Sequence, residues 1–178
     1  HLPTLVRKIP VYEVLNQEGV ELIHDASMRI VEEAGIAFRD TESLSLWRAA
    51  GADIDDDVVR IPRELLMELL AKVPSSFTLH ARNPELSVEI GGSHTVFTPG
   101  YGAPYVRGLD DVRRTGTLED FTNFAKLSYM LPAMHITGGV LCEPMDVPVP
   151  KRHLHMVSTL IRTSDKPFIG MVTQKDRA

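Results

Sequence analysis

At 178 residues the chain has the size of one domain and can bury roughly 70% of the surface its unfolded form exposes, enough for a real core. Its composition is 43% hydrophobic and 24% charged with a formal charge of -5, which excludes the basic excess that favours nucleic acid or anionic lipid. Apolar runs last only a few residues against the ~20 needed to cross a bilayer, and the lone Cys142 excludes an intramolecular disulfide, so a cytoplasmic protein without membrane or nucleic-acid partners is expected. Because the chain begins at His1, its N-terminus reads as a processed or trimmed end.

From Asn16, an N-cap candidate, to Gly35, a helix stop, Val20, Ile23, Ser27, Ile30, Val31 and Ala34 recur at helical spacing. A second helix is predicted over 41–50, presenting Leu44 and Trp47 and closed by Gly51. Residues 58–61 form a strand candidate, after which Pro62 opens a third helix through RELLMELLAKV. Beyond Pro74 the period changes to two: Phe77, Leu79 and Ala81 alternate with Thr78, His80 and Arg82, as in a half-buried strand. Two more short strands, 87–90 and 95–97, are predicted to join across Gly91-Gly92 as a hairpin, completing a small antiparallel meander.

Thr117-x-x-Asp120 then reads as a capping box before a helical face of Leu118, Phe121, Phe124, Ala125 and Ser128. Residues 136–142 (ITGGVLC) form a buried-strand candidate, Pro150 opens a helix carrying Leu154, Val157, Leu160 and Ile161, and 167–173 (PFIGMVT) form another apolar strand. Strands alternating with helices of this length predict right-handed βαβ units, in an open α/β sheet or a (β/α) barrel. Two or three strands cannot close a barrel, so a portion of a longer protein is expected.

In both architectures ligands bind beyond the C-terminal ends of the strands. That rule selects Gly100-Tyr101-Gly102 in FTPGYGAPY, then Cys142-Glu143-Pro144 with Asp146, and Thr173-Gln174. Tyr101 and Tyr105 with Glu143 and Asp146 could cage a cationic ammonium group, since aromatic faces attract such ions and carboxylates neutralise them. The alternative reading is that the tyrosines plug the rim of a sheet while the two carboxylates cap helices or face water. His153 and His155, two apart on a helix, do not share a face, which argues against a bound metal. Cys142 beside His135 or His153 could form a nucleophilic pair, although a buried cysteine more often simply packs. Arg113-Arg114 after Asp110-Asp111 could hold a phosphate or a partner's carboxylate; the competing reading is a solvated turn with exposed ion pairs. Gly91-Gly92 and Gly138-Gly139 lack nucleotide-loop spacing.

The blocks VELIHDASMRIVEEAGIAF, WRAAGADID, VRIPRELL, KVPSSFTLHARNP, FTPGYGAPYVRGLDDVRRTGTLEDF, EPMDVP and KPFIGMV, in this order, resemble the N-terminal part of the trimethylamine methyltransferase family. The resemblance implies a (β/α)8 TIM-type barrel, here partial, preceded by an N-terminal helical and small antiparallel β extension. On that basis residues 1–94 are the extension and 95–178 the first βαβαβ part of the barrel. It also implies transfer of a methyl group from a methylated or quaternary amine, such as glycine betaine, to the cobalt of a corrinoid (cobalamin) carried by a separate protein. This chain would bind no cofactor itself and would be inactive alone; a relative that keeps the fold without turnover is the alternative.

Trimethylamine-specific members of the family carry pyrrolysine later in the barrel, beyond the part seen here, while many relatives lack it. No catalytic residue is assigned. The expected substrate-binding set is Tyr101, Gly102, Tyr105, Glu143 and Asp146, with Tyr101 a wall for the methylammonium group, and self-association through uncovered apolar faces is expected of the fragment.

Overall fold

The computed structural model describes residues 2–171. In chain order the first elements are β1 (Leu5–Val6), α1 (Gln17–Arg29) continued by a π-helical turn (Ile30–Ala34), β2 (Ile36–Ala37), α2 (Thr41–Ala50), β3 (Asp53–Asp55), β4 (Val58–Arg60) and α3 (Arg63–Ala71). There follow β5 (Ser76–Leu79), a 3-10 turn (Pro84–Leu86), β6 (Val88–Gly91), β7 (His94–Thr95), β8 (Tyr105–Arg107), β9 (Arg113–Thr115), α4 (Leu118–Met130) and α5 (Val149–Thr163). The described chain is thus mixed α/β, with five α-helices and small antiparallel sheets. The described residues divide into two compact units, 9–74 and 2–8 with 75–171. Among the described residues no helix is long and apolar enough to cross a membrane.

Residues 9–74 follow local signals closely. Asn16 caps α1 by accepting the Gly19 N–H at 2.9 Å, and the helix ends at Gly35 (φ 78), where a side chain would lie 2.8 Å from the Val59 carbonyl. Asp40 caps α2 through the Ser43 N–H, and Gly51 (φ 95) ends it in a Schellman turn, with Gly51 N–H donating to Arg48 O and Ala52 N–H to Trp47 O. Strands β2, β4 and β3 form one antiparallel sheet in which Val59, fully buried, faces both Ile36 and Ile54. Met28, Val59 and Ile61 make the apolar centre of this unit.

In the other unit β5 pairs antiparallel with β6, β1 with β7, and β8 with β9. The predicted hairpin between 87–90 and 95–97 is therefore revised. Gly92 and Ser93 form a turn after β6, with Gly91 and Gly92 both at positive φ, but β6 takes β5 as its ladder partner and β7 takes β1. Gly91 closes β6 opposite Ser76, so near that a side chain would lie 2.2 Å from the Ser75 carbonyl. The capping box of α4 is present in both directions, and its buried face is Phe121, Ala125 and Ser128.

The strands expected at 136–142 and 167–173 take a different form. Residues 136–142 are all buried but build no regular ladder, because Gly138 (φ 108) turns the backbone in the middle of the run. Hydrogen bonds still hold three segments side by side. Ile136 N–H donates to Phe97 O, Gly102 N–H to Val140 O and Glu143 N–H to Ala103 O; Thr137 N–H donates to Pro167 O and Ile169 N–H to Gly138 O. Both sets of bonds advance in the same direction along each partner, so the three segments run parallel. Val172, Thr173 and Gln174 lie outside the described residues. Helices α4 and α5 cover this array, and Val106, Phe121, Ala125, Val140, Leu141, Cys142, Met156 and Leu160 form the core, with Phe168 and Met171 packed against it.

Candidate functional site

The stretch FTPGYGAPY leaves β7 and runs along the 136–143 segment. Gly102 (φ 78) lets the chain reach Val140 O at 2.6 Å, and Ala103 O receives the Glu143 N–H at 2.9 Å. Backbone on both sides of the bend is thereby fixed, while the Tyr101 side chain stays 60% exposed. Beside it opens a cavity of about 350 Å³ whose walls include Pro99, Tyr101, Phe124, Leu127, Leu131 and Leu141. That volume lies at the lower end of the ~300–1,000 Å³ of small-molecule pockets. Its polar lining is slight: Ser128 is present, but no carboxylate, so a cation here would meet chiefly the aromatic rings of Tyr101 and Phe124.

The remaining expected residues are placed elsewhere. Tyr105, on β8, lies under the Arg113 guanidinium, 4.0 Å from ring centroid to Cζ. Glu143 is half-buried at the end of the 136–143 segment and accepts from Arg152 Nη1 at 3.3 Å, while the same arginine donates to Val147 O through Nε and Nη2. Asp146 accepts the Leu118 N–H at 2.8 Å and so serves the N-terminus of α4. Gly102 acts through its backbone. Of the five, only Tyr101 lines the cavity, and the tyrosines and carboxylates do not line it together.

Cys142 is fully buried, and burial, reinforced by the Asp120 and Glu143 carboxylates, pushes its thiol up to about 11. It is therefore protonated at neutral pH and unsuited to nucleophilic attack. His135 accepts the Phe97 N–H at Nδ1 (3.0 Å) and reaches Pro3 O from Nε2 (3.2 Å); a carbonyl only accepts, so Nε2 carries the proton and both nitrogens are engaged. His153 is buried and His155 exposed on α5, and no cluster that could hold a metal occurs among the described residues. The Asp110–Arg114 stretch is the turn and return strand of the β8–β9 hairpin, with exposed Arg107–Asp111 pairing at 3.0 Å, as the solvated-turn reading had it. Arg114 instead clamps Asp120 through two bonds of 2.5 and 2.7 Å, holding that carboxyl well below the usual range.

Two features had no sequence signal. Arg152 follows Glu143 by nine residues, and only the turn at 144–148 before α5 brings it back. Phe124, Leu127 and Leu131 read as a helix stripe, and nothing local says that FTPGYGAPY lies across from them.

Residues 1–178 match the trimethylamine methyltransferase (MTTB) family. The chain belongs to the trimethylamine methyltransferase family. Among the family's characterised proteins it is similar to the glycine betaine methyltransferase of Desulfitobacterium hafniense (strain Y51), with 44% identity over 170 residues, 96% of this chain and 36% of that protein. It is also similar to the proline betaine:corrinoid methyltransferase of Eubacterium limosum, 29% identical across 89% of this chain and 33% of that protein. The trimethylamine methyltransferase MttB of Desulfitobacterium hafniense (strain DSM 10664 / DCB-2) is 26% identical across 88% of this chain and 32% of its own length. The chain spans about a third of the length of these relatives.

Proposed function

We propose that this chain is the N-terminal portion of a methyltransferase that takes a methyl group from a quaternary amine, glycine betaine first, and delivers it to the cobalt of a corrinoid on a separate protein. The observation that carries this reading is the 44% identity across 96% of the chain to a glycine betaine methyltransferase, against 26% to a trimethylamine methyltransferase. Three parallel segments separated by α4 and α5 support a (β/α)8 barrel beginning near residue 95, with FTPGYGAPY leaving the first strand.

In the reaction the nitrogen–carbon bond breaks, nitrogen keeps its electron pair and leaves as a neutral tertiary amine, and the reduced cobalt supplies two electrons to the new bond with the methyl group. No proton moves. The protein's contribution is then to hold the ammonium in line with its acceptor and exclude water. Tyr101, with Phe124 beyond it, offers aromatic face to the methyl groups at little desolvation cost. Glu143 is paired with Arg152 at the end of the neighbouring segment and lies outside the cavity lining, so it is given no contact with the ammonium in this reading. Tyr105 and Asp146 serve the hairpin and α4 and lie outside the cavity lining.

Calorimetric titration of the complete polypeptide with glycine betaine, carnitine and trimethylamine tests the assignment. Binding of a quaternary amine in preference to trimethylamine, weakened about tenfold by Tyr101→Ala, is expected. Binding untouched by Tyr101→Ala removes the tyrosine from the site; no binding of any of the three overturns the substrate class.

A further inference from the structure

The Tyr101 ring rests on the backbone of a glycine. A side-chain carbon built on Gly139 would stand 2.5 Å from Cε2 and 3.3 Å from Cζ of Tyr101, well inside the ~3.5–4.0 Å separation of packed carbons. Gly139 is itself confined, since the same carbon would lie 3.1 Å from Ile169 O, while Gly138 O receives the Ile169 N–H and Gly139 O receives the Leu141 N–H. Gly138, at φ 108, makes the turn that presents the bare α-carbon of its neighbour. On the tyrosine's side, the bonds of Gly102 to Val140 and of Ala103 to Glu143 fix the chain just beyond the ring. No hydrogen bond among the described residues anchors the Tyr101 hydroxyl, so van der Waals contact with the floor sets where the ring lies.

We propose that Gly139, with the turn at Gly138, is a positioning and specificity-determining residue: the missing side chain sets the depth at which Tyr101 stands as cavity wall, and hence the ammonium head the wall accepts. This rests on the reading of Tyr101 as a substrate wall. A methyl group at 139 displaces the ring by about 1 Å, a misplacement that weakens a fitted contact while leaving its chemistry intact.

A double-mutant cycle on the complete polypeptide, titrated with glycine betaine and with tetramethylammonium, provides the test. Gly139→Ala and Tyr101→Ala are each expected to weaken binding about tenfold, and the pair no more than Tyr101→Ala alone, because the glycine acts through the ring. Additive losses, or a Gly139→Ala variant that binds as the unmodified protein does, overturn the proposal. A ligand-free readout separates it from the substrate assignment. In protein labelled with 3-fluorotyrosine, the ¹⁹F resonance lost in Tyr101→Phe should shift in Gly139→Ala while the other tyrosine resonances hold; an unshifted Tyr101 signal refutes the contact even if no amine binds. Should Gly139→Ala not fold, the double variant decides. Its recovery shows the ring to be the obstacle, and its failure shows that Ile169 backbone alone demands the glycine, against the proposal.

Discussion

Replacing Lys166 by methionine should destabilise residues 75–171 by about 2–4 kcal/mol. Lys166 is 4% exposed and its ammonium donates to three carbonyls, Ser128 O at 3.0 Å, Leu131 O at 3.0 Å and Met134 O at 2.8 Å. These include carbonyls at the C-terminus of α4, which have no partner within the helix and lie at the negative end of its dipole. All three ammonium protons are used, and the Tyr129 ring lies 5.6 Å away. Burial draws the lysine pKa below its ordinary value, and Asp165 opposes that fall. Methionine keeps the alkyl stem and removes the donors. The Ser128 carbonyl then stays buried without a partner, at about 1–3 kcal/mol, and the other two exchange a charged donor for water, at less than the ~1.5–3 kcal/mol of a charge-assisted bond. Relief of the ammonium's own desolvation offsets part of the sum. For a chain of this size the loss lowers the thermal midpoint by roughly 5–15 °C, read by circular dichroism or calorimetry. A midpoint within about 1 °C of the unmodified protein would show that the three bonds only balance the cost of burying the charge.

Cys142 should resist alkylation by iodoacetamide at pH 8 in the folded protein and react promptly in denaturant, since it is buried and its thiol is raised to about 11; rapid native labelling would refute that burial. Asp120, its pKa lowered chiefly by Arg114 and then by Thr117 bonds, contributes stability that is full above its unfolded value of about 4 and lost as pH falls toward the folded one. The stability gap between the unmodified protein and Asp120→Asn should therefore be constant from pH 5 to 7 and shrink below about pH 4; a pH-independent gap contradicts the linkage. Gly91→Ala should destabilise by about 2–4 kcal/mol in urea melts, from positive φ combined with collision at Ser75 O, whereas Gly92→Ala, with open space around it, should lose only about 1 kcal/mol. Equal losses at the two glycines would remove the collision from the account.

Helices were readable where caps and stops are written locally. Asn16, Gly51 and the Thr117/Asp120 box act through bonds within three or four residues, so residue type alone places them. Strands of two or three residues leave no such trace. The β8–β9 hairpin is built from YVR and RRT, short stretches with a single buried apolar position, Val106, that pair only because the turn through Asp111 (φ 61) brings them together. In 136–142 composition announced burial correctly, but Gly138 breaks the ladder that an apolar run implies. The rule that ligands sit at strand ends pointed to Tyr101, which lines the cavity, while the involvement of Glu143 with Arg152 and of Asp146 with α4 depends on contacts spanning 9 and 28 residues, invisible to local spacing.

Methyl transfer from glycine betaine, measured with the complete polypeptide, a reduced corrinoid protein and the cobalt absorption spectrum, tests the central claim most directly. Dimethylglycine is expected in amounts equal to the methylated corrinoid, with trimethylamine a poorer donor. Stable, folded protein that binds glycine betaine yet methylates no corrinoid, or that prefers trimethylamine, would contradict it.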